Sequence, residues 1–121
     1  MHRKQAELRC EGSFWNRRQV GDFIHLAEAA DLPANIRFFA VSRLNPGETI
    51  GYHQHQGEKE VFYIIQGEGE VNDNGTIVQV RAGDVIITPV DGGHSFANTG
   101  SDVLAFVALI VKVEAGAKAG A

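Results

Sequence analysis

Two histidines one residue apart, His53 and His55, are followed by Glu60 and, much further along, by His94. On an extended strand side chains alternate with period two, so His53 and His55 leave the same face and can grip one ion; on a helix they would diverge. Two or three imidazoles with one carboxylate suit Fe(II), Mn(II), Ni(II), Co(II) or Zn(II). An octahedral ion with four protein ligands keeps two positions for water or a small ligand. Glu60 alternates onto the face of Phe62 and Ile64, which places its carboxylate among inward apolar side chains that exclude bulk water and strengthen its bond to an ion.

The elements that must position these groups read as short strands joined by tight turns. The chain has 121 residues, enough for one domain with one core, and 14 glycines. With aliphatics leaning toward Val and Ile, this favours an all-β sandwich or barrel. Strands are predicted at Val20 to His25, at Ile36 to Leu44, over the segment carrying His53 and His55, and at Glu60 to Ile65. Further strands follow at Glu70 to Asn72, Thr76 to Arg81, Val85 to Thr88, His94 to Asn98 and Val103 to Val113, about nine in all. Asp73-Asn74-Gly75 is a strong hairpin signal, and Leu26 to Leu32, before Pro33, reads as a short helical turn. The domain is assigned to 1-113; the tail 114-121 has no large apolar side chain to anchor it and is read as disordered.

Composition excludes several classes. The formal net charge of −4, with no basic cluster beyond Arg3-Lys4 and Arg17-Arg18, gives no footprint for nucleic acid. The first residues lack the apolar core of a signal peptide, and the longest apolar run, Val103 to Val111, is too short to span a bilayer, so a cytoplasmic protein with no membrane partner is expected. The single Cys10 is read as a buried or incidental thiol. Gly67-Glu68-Gly69 lacks the third glycine and the helix of a phosphate cradle, so no nucleotide cofactor is expected.

Gly47, His53, His55, Glu60 and Gly67 match every fixed position of G(X)5HXH(X)3-4E(X)6G, and Gly83, Pro89, His94 and Asn98 follow G(X)5PXG(X)2H(X)3N with Asp91 at the interior glycine position. In these residues the chain resembles the cupin superfamily. The resemblance implies a double-stranded β-helix, the jelly-roll cupin barrel, holding one divalent metal (Fe, Mn, Ni, Co or Zn) at its mouth through His53, His55, Glu60 and His94. It also implies a tendency to homodimers in which N-terminal strands pair. Within this superfamily the fold serves dioxygenases, decarboxylases, isomerases, lyases, storage proteins and sensors, so function must come from the site.

The first functional expectation is a metal-dependent enzyme acting on a small oxygen-rich or carboxylate substrate. The alternation forces no clear Tyr, Lys or further His inward as a proton carrier, which favours dioxygenase or decarboxylase chemistry over isomerase or lyase chemistry. The catalytic residues are left open. The alternative is a non-enzymatic, metal-dependent binding protein for a small carboxylate such as oxalate; an apolar pocket with an arginine near the metal would favour it. A sensory half of a regulator is disfavoured, because residues 1 to 19 are too few for a helix-turn-helix. Arg37 and Arg43 share a strand face with Phe39 and Val41; surface positions are the default for both, with pairing to a substrate carboxylate as the alternative. Tyr52 and Tyr63 alternate outward, although a bulge could re-aim Tyr52. His25 is read as structural, and Phe38, Phe62, Phe96, Phe106 and Trp15 as packing residues. The long strand Val103 to Val113 is apolar on both faces, which asks for a partner chain, and Trp15, Tyr63 and the N-terminal strand are candidates for a homodimer interface.

Overall fold

The computed structural model describes residues 1–12 and 22–113. Trp15, the first two residues of the expected Val20 to His25 strand and the tail 114-121 lie outside them. Ten strands run through the described residues: β1 (Cys10–Gly12), β2 (Asp22–His25), β3 (Ile36–Leu44), β4 (Thr49–Gln54), β5 (Glu58–Gln66), β6 (Glu68–Asp73), β7 (Thr76–Arg81), β8 (Val85–Thr88), β9 (Gly93–Ala97) and β10 (Leu104–Lys112). The strand not foreseen is β1, whose three residues carry no periodic signal and take their conformation from pairing with β2. The expected helical turn at Leu26 to Leu32 shrinks to a single 3-10 turn, Ala29–Asp31; the Glu28 and Asp31 side chains cap it, and Pro33 follows.

The strands form two antiparallel sheets, ordered β1-β2-β3-β10-β5-β8 and β4-β9-β6-β7. This is the jelly-roll barrel. Chain-distant strands become neighbours, with β10 lying between β3 and β5. The hairpin β6-β7 closes through Asn74 and Gly75, both at positive φ, the conformation that matches the right-handed twist of the strands it joins. Gly67, the last fixed residue of the first motif, has φ +80, and a Cβ there would lie 2.3 Å from the Val103 carbonyl oxygen; only glycine lets the two chains approach there.

Side chains alternating inward fill the barrel with Leu44, Ile50, Phe62, Ile64, Val71, Val80, Phe96, Leu104 and Phe106. Phe62, Phe96 and Phe106 pack ring to ring, with centroids 4.6 Å apart for Phe62–Phe96 and for the stacked Phe96–Phe106 pair. Truncating one such buried ring to alanine costs about 3–5 kcal/mol. These rings form the floor on which the functional side chains stand.

Candidate metal centre

Ile50 is core and His53 belongs to the cluster, yet they stand three positions apart, an odd offset that strict alternation would put on opposite faces. Opposite β9, Ile50 pairs with Phe96 and His53 with His94, so β4 carries one extra residue over Gly51-Tyr52. That bulge turns both Ile50 and His53 inward. It also places the Gly51 carbonyl oxygen 2.9 Å from His53 Nδ1. His55 lies just past the end of β4, Glu60 enters from β5 beside Phe62, and His94 from β9. The donor atoms of His53, His55, Glu60 and His94 all lie within 4.8 Å of one another.

The contacts around these four define what they can bind. His53 Nδ1 donates to the Gly51 carbonyl, and His55 Nδ1 donates to Glu58 Oε1 at 3.1 Å. His94 Nδ1 is 2.9 Å from Thr88 Oγ1, whose hydroxyl can accept or donate. With every Nδ1 occupied in this way, the three Nε2 atoms are turned toward a common centre. Such outer contacts fix ring orientation and tautomer at metal sites. Inside the cluster, His53 Nε2 and His94 Nε2 are 3.0 Å apart, and Glu60 Oε1 lies 3.0 Å from His55 Nε2 and 3.3 Å from His94 Nε2. Two lone-pair nitrogens facing each other beside a buried carboxylate oxygen are mutually repulsive unless a cation or proton stands between them. The donor set therefore fits a divalent transition ion.

Titration follows from the same surroundings. Burial pushes His94 down to about 3, reinforced by the charges of His53 and His55, and burial also lowers His53. Both are neutral at pH 7. The neighbouring Glu60 carboxylate raises His55, while burial raises Glu60 above the usual carboxylate range. A metal binding between them must displace any proton held there.

The cavity beside the cluster is small, about 10 Å³, the room of one water. Beyond His53, Glu60 and His94 it is lined by Phe38, Ser42, Ile50, Phe62, Phe96, Phe106 and Ala108. The phenylalanines expected as packing residues thus also wall the pocket.

The other expected positions divide. Tyr63 is exposed, and so is Tyr52, even though the bulge is present: its ring lies against Gly93 on the outside. Arg43 pairs with Asp22 at 3.2 Å, away from the pocket. Arg37 departs from its expected place on the face of Phe39 and Val41: it pairs with Glu58, and its Nη2 lies 3.4 Å from His55 Nδ1. His25 sits apart, its Nε2 2.7 Å from Glu11 Oε2. Cys10 is exposed rather than buried. Asp91, at the motif's glycine position, adopts φ 64, which short polar side chains tolerate, and its carboxylate accepts the Gly57 N–H at 2.8 Å. Asn98 locks the following loop by donating to the Leu44 and Asp102 carbonyls. Glu58 and Thr88 were not singled out in the sequence. Glu58 was visible as an acid three residues after His55 across a glycine turn, and Thr88 as the inward residue opposite Glu60.

A small jelly-roll barrel with three imidazoles and one carboxylate converging among its core aromatics defines a class of metal-site β-barrels. Residues 40–111 match the cupin domain family, and the chain belongs to that family. It is 41% identical over 90 residues to the oxalate-binding protein of Thermotoga maritima, covering 74% of each chain. It is 30% identical over 82 residues to the quercetin 2,3-dioxygenase of Bacillus subtilis, covering 67% of this chain and 24% of that enzyme. The crystal structure of a predicted oxalate decarboxylase from Thermotoga maritima superposes with a TM-score of 0.86 at 36% identity, covering 93% of this chain and 100% of that one. Among the described residues no helix is long and apolar enough to cross a membrane.

Proposed function

We propose that the protein holds one divalent transition metal through Nε2 of His53, His55 and His94 and Oε1 of Glu60, and captures a small dicarboxylate such as oxalate there without transforming it. The observation that carries this reading is the pocket wall: among the described residues, apart from the cluster itself, it is four phenylalanines, Ile50, Ala108 and Ser42, with no group suited to carry a proton near neutral pH. Decarboxylation leaves a carbanion that must be protonated where the carboxylate departed, whereas capture needs only the ion and a countercharge. The metal would supply Lewis-acid attraction for two ligand oxygens. The chain's own residues fix the imidazoles, exclude bulk water through the phenylalanine floor and limit the ligand to a few atoms. The relative named an oxalate-binding protein supports this choice.

Identity to a quercetin dioxygenase favours one second reading, oxidative chemistry at the same ion, which needs no proton carrier from the wall. The experiment is metal analysis of untagged protein, then calorimetric titration with oxalate while carbon dioxide release and oxygen uptake are followed. Near-stoichiometric metal and oxalate binding with neither gas changing is the expected result. Carbon dioxide release would replace capture by decarboxylation, oxygen uptake would replace it by oxygenation, and failure to take up metal would remove the reading.

We further infer that two copies pair through the outer face of the six-stranded sheet. Tyr63, Ile65, Val85 and Ile87 are 46–54% exposed there, with Tyr63 directly opposite Val85 and Val61 opposite Ile87. Contiguous exposed apolar surface of this kind marks an interaction face. Light scattering after size exclusion should give twice the chain mass; a monomer at micromolar concentration would overturn this pairing.

A further inference from the structure

Three of the four donors stand in strands, where the ladder fixes them: His53 in β4 opposite His94 in β9, and Glu60 in β5 opposite Thr88. His55 alone lies between strands, after β4 ends at Gln54 and before β5 begins at Glu58. Glu58 holds its ring, but main chain outside a ladder needs other partners if the donor is to keep its place. Those partners come from the loop between β8 and β9. The His55 N–H donates to the Gly92 carbonyl at 3.3 Å, the Gln54 side-chain amide donates to the Asp91 carbonyl, and the Gly57 N–H donates to the Asp91 carboxylate at 2.8 Å. Asp91 thus grips the chain on both sides of His55. The Gly57 carbonyl in turn accepts the Val113 N–H at 2.9 Å, so the turn is held from two directions.

Asp91 makes these contacts from a backbone conformation that glycine adopts more freely. Its φ is 64, in the left-handed region where a Cβ crowds the chain. Glycine, which the motif G(X)5PXG(X)2H(X)3N has at this place, would take that φ without strain and would still offer its carbonyl to Gln54. It has no carboxylate for Gly57. The strain therefore accompanies the one contact that only the side chain can make.

We propose that Asp91 is a positioning residue for the metal centre: its carboxylate, through the Gly57 N–H, fixes the turn that carries His55 and so keeps His55 within reach of the other three donors. This rests on the metal-holding part of the proposed function. The carboxylate acts through the main chain and is not one of the donors to the ion. Asp91 is exposed, so water can solvate the Gly57 N–H when the carboxylate is gone, and the turn loosens without the barrel unfolding. Metal affinity then falls with the share of molecules in which His55 is in place. A hydrogen bond of ordinary strength changes that share by about fivefold.

The test uses the whole chain as wild type, Asp91→Gly and Asp91→Asn, stripped with a chelator. Three quantities are read: Zn(II) affinity by competition against a chromophoric chelator, the melting temperature of the ion-free protein, and hydrogen exchange at the Gly57 amide in the ion-free protein. In Asp91→Gly, Zn(II) affinity should fall about fivefold and Gly57 exchange should quicken by about tenfold or more. The ion-free melting temperature should stay close to wild type, because the strain that glycine relieves offsets the bond it loses. Asp91→Asn keeps an oxygen acceptor and tolerates left-handed φ, so it should restore both affinity and protection. Zn(II) affinity within about twofold of wild type in Asp91→Gly would overturn the assignment. So would a loss of affinity matched by a fall in the ion-free melting temperature, which would make Asp91 a support of the barrel and not of His55. Asp91→Asn as weak as Asp91→Gly would remove the hydrogen bond as the cause. Wild type that protects Gly57 yet takes up no Zn(II) would sink the metal reading, and the assignment with it.

Discussion

Replacing Thr88 by valine removes one oxygen atom from the interior and nothing else of consequence, because the two side chains have nearly the same shape. Thr88 and His94 are each 1% exposed, and Oγ1 is 2.9 Å from Nδ1. No water reaches the ring to replace the lost partner. Without metal, the hydroxyl can donate to a lone pair on Nδ1 while Nε2 donates to His53; with metal on Nε2, Nδ1 must carry the proton and the hydroxyl accepts. The variant therefore loses a hydrogen bond in both states, and the two losses differ. A neutral bond is worth about 1 kcal/mol, whereas a bond from a ring polarised by a bound cation falls in the range of about 1.5–3 kcal/mol. The difference, about 1–1.5 kcal/mol, corresponds to roughly tenfold in metal affinity, and the common part lowers the stability of the ion-free protein by about 1 kcal/mol. The assay is competition for Mn(II) or Zn(II) against a chromophoric chelator, with Thr88→Ser as the control that keeps the hydroxyl. Affinity within about twofold of wild type in Thr88→Val would refute the tautomer argument, since no other observed group takes the Nδ1 proton.

Glu60→Gln keeps the shape of a buried carboxylate whose ionised form burial disfavours; metal affinity should fall by at least about a hundredfold while the ion-free melting temperature holds or rises, and a folded variant retaining stoichiometric metal would contradict the ligand assignment. His94 stays unprotonated in the folded state down to about 3 whereas an unfolded histidine protonates near 6.5, so between these values the unfolded chain binds the extra proton. The His94 contribution should then make ion-free stability decline as pH drops below about 6.5, by up to ~1.4 kcal/mol per pH unit, with His53 adding in the same sense and the raised His55 and Glu60 opposing. Urea midpoints at pH 7 and pH 5 read this directly, and a flat profile would count against it. His53→Ala, at the half-exposed rim, should lose metal with little change in folding. His94→Ala opens a hole beside Phe62, whose ring centroid lies 4.8 Å from that of His94, and should also cost about 2–4 kcal/mol; equal melting temperatures for the two variants would mean the core tolerates the hole.

The four donors were legible because histidine is scarce in this chain and its spacing is interpretable from one fact, the period of two along a strand. The hairpin at Asn74-Gly75 and the tight approach at Gly67 were legible for a similar reason: few residues accept positive φ, so their presence names the geometry. The depth of His94 was not legible, since nothing in its own neighbourhood of sequence says that Phe62 and Phe96 will close around it. Glu58 and Thr88 gave only the faint signals of spacing and strand parity. A carboxylate at the start of a strand and a threonine at the end of one are ordinary surface residues until the partner strand is known.

The arrangement is decided by two one-residue insertions, which alternation cannot foresee because register belongs to pairs of strands distant in sequence. In β4 the extra residue lets Ile50 stay in the core while His53 enters the cluster, and it turns a backbone carbonyl toward the ring that needs an acceptor. In β3 the extra residue accompanies a guanidinium set against Glu58 and the outer side of the His55 ring. Deleting the extra residue of β4 would therefore turn either Ile50 out of the core or His53 out of the cluster, so the bulge couples the packing of the barrel to the donor set.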